Sequence, residues 1–312
     1  MAEMKAEKKY SNVIVIGVDG AGAFIEKADT PNFDRIFSDA AVTYSALSSF
    51  PTISAECWGS MFIGVGPKVH KLTNRRVGIL PYPKHSKHPT VFRRIRTVYP
   101  DAEIGSFCNW NPINKGIVER NLRVTEDTGS DRELTPKICE YIKKKKPLFL
   151  FVHFDGADGA GHKNGYGTNA HLESIHEIDK YVADIYTAAE EAGIADDTLF
   201  MLIADHGGTN PGDGKGGSHE GWTDAEKYVT FAAKGKGIIN GSIKEMNIRD
   251  LASIILYSLG IDLPGFDEKH WTSQIPEGLF EGGDIPAYRD ISHLTRAKPR
   301  ISDEQHKSRL NL

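Results

Sequence analysis

Cysteine is scarce in this 312-residue chain: its three residues, Cys57, Cys108 and Cys139, stand far apart. Scattered thiols of that number build neither a disulfide framework nor a cysteine-rich zinc site. A surplus of positive charge is missing too, since 38 Lys and Arg face 42 Asp and Glu and leave a formal net charge of −4. Without a basic footprint, recognition of a nucleic-acid polymer is not expected. A small phosphate-bearing substrate stays open, because a bound cation supplies positive charge locally. Long apolar runs are absent as well, none approaching the roughly 20 residues that cross a bilayer. The opening "MAEMKAEKKYSN" is charged and has no apolar stretch, which does not fit a secretory signal. The expectation is a cytoplasmic protein of a reducing compartment with no membrane partner and an open oligomeric state.

What is present is ordinary globular usage, 39% hydrophobic and 26% charged residues. Strand-like and helix-like segments alternate, which predicts an α/β fold with a mainly parallel sheet. "NVIVIGVDG", "AEIGSFC", "PLFLFVHFDG", "TLFMLIAD" and "KYVTFAAKG" read as strands. "TPNFDRIFSDA", with Thr30 as N-cap, "LTPKICEYIKKKK", "HLESIHEIDKYVADIYTAAEEAG" and "NIRDLASIILYSLG" read as helices. The stretch from Lys71 to Pro89, rich in Arg, Lys, Pro and His, has no periodicity and with "NWNPINKGIVERN" predicts cap or substrate loops around 71–125. One domain over 1–312 is expected, with a polar tail after about 286.

Strands that look buried end in the same chemistry. "VIVIGVDG" delivers Asp19, "LFLFVHFDGADGAGH" delivers Asp155, Asp158 and His162, and "LFMLIADHGG" delivers Asp205 and His206. The glycine-rich "GKGGSHEGW" adds His219. Parallel strands carry their loops to one sheet edge, where ligands of open α/β folds bind. Each residue alone has a plainer account: Asp after a strand is usually a turn former or helix cap, and His219 alone is an ordinary loop histidine. Together, Asp19, Asp158, His162, Asp205, His206 and His219 suffice for two divalent cations, with imidazole favouring zinc over manganese or magnesium. A pair of such cations serves in-line displacement at phosphorus.

A nucleophile is offered by "SSFPTISAECWGSMFIGVGP", where Ser48, Ser49, Thr52 and Ser54 precede a helix-like run. A hydroxyl at a helix N-terminus sits where backbone N–H groups favour negative charge. The plainer account makes Thr52 or Ser54 an N-cap.

With these motifs in order, the chain resembles the alkaline phosphatase superfamily, and within it the nucleotide pyrophosphatase/phosphodiesterase branch. The matching segments are "VDG", "FPTISAECWGSMFIGVGPKVH", "DGAGHKNGYG", "ADHGG" and "GGSHEGWTDAEKYVTFAAKGKGI". The resemblance implies a three-layer α/β/α sandwich. It implies one metal on Asp158, His162 and His219, and another on Asp19, Asp205 and His206. Anchoring on Gly64, Pro67 and His70 places the nucleophile at Ser54, with Thr52 the alternative; Glu56 stands where many relatives have proline. Asn74 falls near the place of the family's oxyanion donor, one residue out of register. The implied reaction is attack by Ser54 at phosphorus, a covalent phospho-enzyme, and its release by water.

For the substrate, a phosphodiester or nucleotide is expected, with Trp110 and Asn111 in "CNWNPIN" as a leaving-group platform. Phosphomonoesterase, phosphonate hydrolase or phosphomutase action on the same scaffold are the alternatives. A non-catalytic metal-binding α/β protein is the more distant one. Sulfatase chemistry fits less well, because Cys57 is followed by "WGSM" rather than by the sulfatase pattern.

Overall fold

In a computed structural model that describes residues 7–212, 216–282 and 285–291, the five expected strands all form. The full set is β1 Asn12–Val18, β2 Ala41–Leu47, β3 Ile104–Cys108, β4 Thr125–Thr128, β5 Phe149–Phe154, β6 Thr198–Ala204, β7 Tyr228–Lys234 and β8 Gly241–Ser242. They make one eight-stranded sheet in the order β4-β3-β5-β1-β6-β7-β2-β8. β4, β3, β5, β1 and β6 run parallel, whereas β7 is antiparallel to both of its neighbours. The apolar runs of β1, β5 and β6 are buried from end to end, as strands covered on both faces must be.

Helices cover both faces. Pro31–Ile36, Asp131–Lys145, Gly156–Asn164 and the long Asn169–Glu191 pack among themselves, while Ser54–Ile63, Val91–Val98 and Asp250–Ser258 form a separate group. β5 shows how its alternating side chains serve both layers. Phe149 and Phe151 meet Phe92 and Phe62 of the second group, whereas Phe154 meets Tyr181 of the long helix. The arrangement is a three-layer α/β/α sandwich around a mainly parallel sheet.

The structure departs from expectation in several places. Thr30 makes no side-chain cap; Asp179, from the long helix, instead accepts the N–H groups of Asn32 and Phe33 at 3.0 and 2.7 Å. The stretch 71–125 is irregular only in part. It contains the helices Asn74–Ile79 and Val91–Val98, the strand β3 and a π-helical turn at Ile113–Ile117. The described part of the tail is docked, Tyr288 donating its hydroxyl to Asp250 at 2.7 Å; residues 292–312 lie outside the described residues.

Candidate active site

The sheet register sets the site. Val18 of β1 pairs with Phe154 of β5 on one side and Ala204 of β6 on the other. The next residues, Asp19, Asp155 and Asp205, therefore leave adjacent parallel strands at one level. Gly20 follows at φ 67°, and a Cβ there would lie 2.5 Å from Asp158 Oδ1. Only glycine permits that backbone and that approach. Gly207 and Gly208 serve close packing rather than a positive-φ turn: added Cβ atoms would strike the Ala225 carbonyl and the Tyr166 ring.

Asp19, Asp205 and His206, all buried, form one group of potential ligands. Asp205 Oδ1 accepts the N–H groups of Gly20 and His206 at 3.1 and 2.8 Å, while Oδ2 has no partner. Asp19 Oδ2 accepts from Trp58 Nε1 at 3.0 Å and pairs with His153 Nε2 at 2.9 Å, while Oδ1 has no partner. His206 places Nδ1 2.9 Å from the Gly207 carbonyl, which fixes the hydrogen on Nδ1. Its Nε2 then lies 3.4 Å from Asp19 Oδ1 and 3.3 Å from Asp205 Oδ2. Those two carboxylate oxygens converge on one ring nitrogen, and a buried arrangement of that kind fits a divalent cation in place of the ring proton.

Asp158, His162 and His219 form the second group. His162 Nδ1 faces the Gly217 carbonyl at 3.2 Å and His219 Nδ1 the Thr52 carbonyl at 2.6 Å, so both rings carry hydrogen there. Their Nε2 atoms face each other at 3.2 Å, with Asp158 Oδ2 3.2 Å from that of His162. Lone pairs so opposed require a proton or a cation between them. The His206 and His219 rings stack at 3.9 Å and join the two groups.

The protonation states follow from this crowding. Burial alone would lower His206, but the carboxylates of Asp205, Asp19 and Asp158 outweigh it and push the imidazole up to about 9. Burial, with His206 beside it, lowers His219 to about 4. Burial and then Asp19 raise Asp155 to about 7, and the same causes hold Asp205 well above the usual carboxylate range. Burial opposes ionisation of Asp158, yet His162, His206 and His219 hold it below its ordinary value. Cation binding at these groups must therefore displace protons.

Ser54 opens the ten-residue helix Ser54–Ile63, and its Oγ lies 3.3 Å from His206 Nε2. Thr52 is placed differently. Its hydroxyl donates to the Gly221 carbonyl at 3.1 Å and accepts from Glu220 N at 3.1 Å, tying the Ser54 loop to the His219 loop. Asn74 Oδ1 accepts the Ala55 N–H at 2.9 Å, which leaves the Asn74 amide hydrogens beside Ser54 free to donate. Trp110 and Asn111, both half-buried, follow β3 on the same sheet edge; the Trp110 backbone approaches His153 Nδ1 at 3.5 Å. Among the described residues no hydrogen bond or ring contact joins their side chains to Ser54 or the ligand groups.

Sequence reasoning missed His153, Trp58, Tyr166 and Asp131. Asp131 accepts from Asp155 N, Gly156 N and Asn109, holding the loop after β5. Tyr166 donates its hydroxyl to Asp158 Oδ1 at 2.5 Å. The signal for His153 was a single imidazole inside "FLFVHF", since a buried polar group needs a buried partner. Trp58 reaches Asp19 by packing against β1, where a Cβ on Gly17 would come within 2.3 Å of its ring. Trp58→Phe keeps an aromatic ring and removes the N–H. It is expected to weaken divalent-cation binding about ten- to a hundredfold, as loss of a ligand's orienting partner does. Competition with a chelating indicator would read it, and unchanged affinity would refute it.

Glu56, two positions past Ser54, is buried and its Oε2 has no hydrogen-bond partner among the described residues. Burial, with a smaller contribution from Glu220, raises its carboxyl from 4.5 to about 7. The folded state thus binds this proton more tightly than the unfolded chain, so stability is lost as pH rises from 4.5 through 7. The cost reaches at most about 3 kcal/mol above pH 7. Glu56→Gln removes it, so the variant's gain over wild type is larger at pH 8 than at pH 4.5. Urea unfolding at both values tests this, and equal differences at the two would count against it.

The sequence profile of the type I phosphodiesterase / nucleotide pyrophosphatase family matches residues 13–254. A protein named GPI ethanolamine phosphate transferase 2, from Aspergillus fumigatus, is 25% identical over 225 residues, covering 69% of this chain. The chain spans only 29% of that relative's length. Murine ectonucleotide pyrophosphatase / phosphodiesterase 5, solved as an inactive variant in complex with AMP, superposes with a TM-score of 0.67 at 14% identity, covering 82% of this chain and 97% of that one. A 2-O GAG sulfatase gives a TM-score of 0.66 at 14% identity, with 82% and 72% covered. These structures share the fold.

Proposed function

The chain belongs to the type I phosphodiesterase / nucleotide pyrophosphatase family, and from that premise we propose that it cleaves phosphodiesters through a covalent phospho-serine on Ser54. The observation that carries the reading is Ser54 Oγ at a helix N-terminus, 3.3 Å from Nε2 of His206, the atom that Asp19 and Asp205 also face. Asp19, Asp205 and His206 would hold one divalent cation, and Asp158, His162 and His219 a second, with zinc favoured by the imidazoles. Such cations, when bound, supply Lewis-acid stabilisation of charge on the phosphoryl oxygens.

The chain's own groups do the rest. The helix N-terminus favours negative charge at Ser54, and the Asn74 amide offers a donor to a phosphoryl oxygen. Ser54 Oγ bonds to phosphorus as the ester bond to the leaving alcohol breaks in line. Water then cleaves the phospho-serine and restores the hydroxyl. Trp110 and Asn111 are retained as the proposed platform for the leaving group.

A second reading is transfer, in which an alcohol takes the place of water. It is favoured by the name of the Aspergillus relative and shares the same intermediate. A panel of p-nitrophenyl phosphate, bis-p-nitrophenyl phosphate and p-nitrophenyl thymidine monophosphate, with zinc, manganese or magnesium added to metal-stripped protein, tests both. Diester turnover supports the proposal, and product shifting from free phosphate ester to a new diester when ethanolamine is added supports transfer. No turnover of any substrate, with wild type and Ser54→Ala alike, overturns both readings.

A further inference from the structure

Ile79 and Leu80 are 70% and 55% exposed, the highest values of any large hydrophobic side chains among the described residues. They are consecutive and they sit on an ordered support. Val77 is buried, and the π-helical turn packs so closely on it that a Cβ on Gly116 would come within 2.2 Å of the Val77 carbonyl. Beyond Leu80, the Tyr82 hydroxyl donates to the His88 carbonyl at 2.8 Å and closes the following turn. The pair is therefore held out in solvent by a built loop.

The charge around the pair is segregated. Between Glu56 and Asp101 the sequence has nine lysines and arginines and no aspartate or glutamate, in a chain whose net charge is −4; three of the nine, Arg93, Arg94 and Arg96, are engaged by Glu119, by the Trp271 ring and by backbone carbonyls. Lys71, Arg75, Lys84 and Lys87 are exposed on the segment that presents Ile79 and Leu80. The short helix Asn74–Ile79 begins at Asn74, whose Oδ1 accepts the Ala55 N–H, so the segment that carries the tip starts beside Ser54.

We propose that this tip docks on an anionic phospholipid surface and presents the Ser54 site to esters lying in it. An aliphatic pair flanked by cations matches the acyl–headgroup boundary, where burial of apolar surface and attraction to anionic lipid act together. A soluble polyanion would use the cations and have no use for the aliphatic pair. Such peripheral contact needs no spanning helix, and no described helix is long and apolar enough to be one. The proposal stands independently of which phosphate ester is cut.

Sedimentation of the full chain with phosphatidylcholine vesicles, with and without one third phosphatidylserine, tests it. Binding to the anionic vesicles is expected, and it should weaken as salt is raised. Ile79→Ser with Leu80→Ser, and separately Lys84→Glu with Lys87→Glu, should each lower it about tenfold. Both variants should cleave bis-p-nitrophenyl phosphate at the wild-type rate. Absence of vesicle binding by wild type, or wild-type binding by both variants, overturns the proposal. So does a loss confined to the charge variant, which would mark a polyanion surface instead. Turnover of the soluble diester without vesicle binding sinks the docking proposal alone, and vesicle binding without turnover sinks the catalytic reading alone.

Discussion

On the proposed mechanism Ser54→Ala is expected to lower kcat for aryl phosphodiesters by about a thousandfold or more, because among the described residues no other hydroxyl is hydrogen-bonded to His206 Nε2. The competing residue is Thr52, and the structure separates the two by what their hydroxyls already do. Thr52 Oγ1 both donates to Gly221 and accepts from Glu220, so its hydrogen and a lone pair are engaged in joining two loops. Among the described residues, Ser54 Oγ is hydrogen-bonded only to His206 Nε2, the atom that also faces Asp19 and Asp205. Thr52→Ala should therefore act through stability, costing about 1–3 kcal/mol for the unmade hydrogen bonds, with activity reduced far less. Mass spectrometry after rapid acid quench should find the phosphoryl adduct on Ser54. An adduct on Thr52, or Thr52→Ala as the dead variant and Ser54→Ala as the active one, would reverse the assignment.

Much of this site could be read along the chain because its groups follow buried strands. Asp19, Asp158, His162, Asp205 and His206 come within eight residues of the ends of β1, β5 and β6, and parallel pairing converts those positions into neighbours. What stayed hidden depends on contacts between distant segments. Trp58 belongs to a helix and His153 to a strand, and nothing local says that both meet Asp19. Asp179 caps a helix nearly 150 positions away, so Thr30 was the natural local reading. β4 is "TEDT", an edge strand with no apolar residue, and β2 is broken by a register shift between Thr43 and Ala46. Neither carries the alternation by which strands are recognised. The reversal of β7 is likewise invisible in its composition, since a buried strand looks the same in either direction.

Asp205→Asn is expected to invert the order of stability between metal-free and metal-loaded protein. In the metal-free chain Asp19 Oδ1 and Asp205 Oδ2, which have no hydrogen-bond partner among the described residues, flank His206 Nε2 in a buried site. Burial first, and then Asp19, hold the Asp205 carboxyl well above its usual range. Its proton is therefore bound more tightly in the folded state, and metal-free stability falls as pH rises beyond the ordinary carboxylate range. Asparagine keeps the oxygen that accepts from Gly20 N and His206 N and removes the charge. The metal-free variant should therefore be more stable than wild type by about 1–3 kcal/mol near pH 8, and by less in acid. The same change removes an anionic ligand, so cation binding should weaken about a hundredfold or more. A cation at a hundred times its Kd stabilises wild type by about 2.7 kcal/mol, and the variant gains little of that. Thermal unfolding of both proteins, with chelator and with zinc, should show the variant melting higher without the ion and lower with it. The crossover should widen with pH, because zinc must displace the proton from His206, which titrates at about 9. A variant less stable than wild type in both states would mean that Asp205 is a structural carboxylate; one that keeps the full zinc shift would remove it from the ligand set.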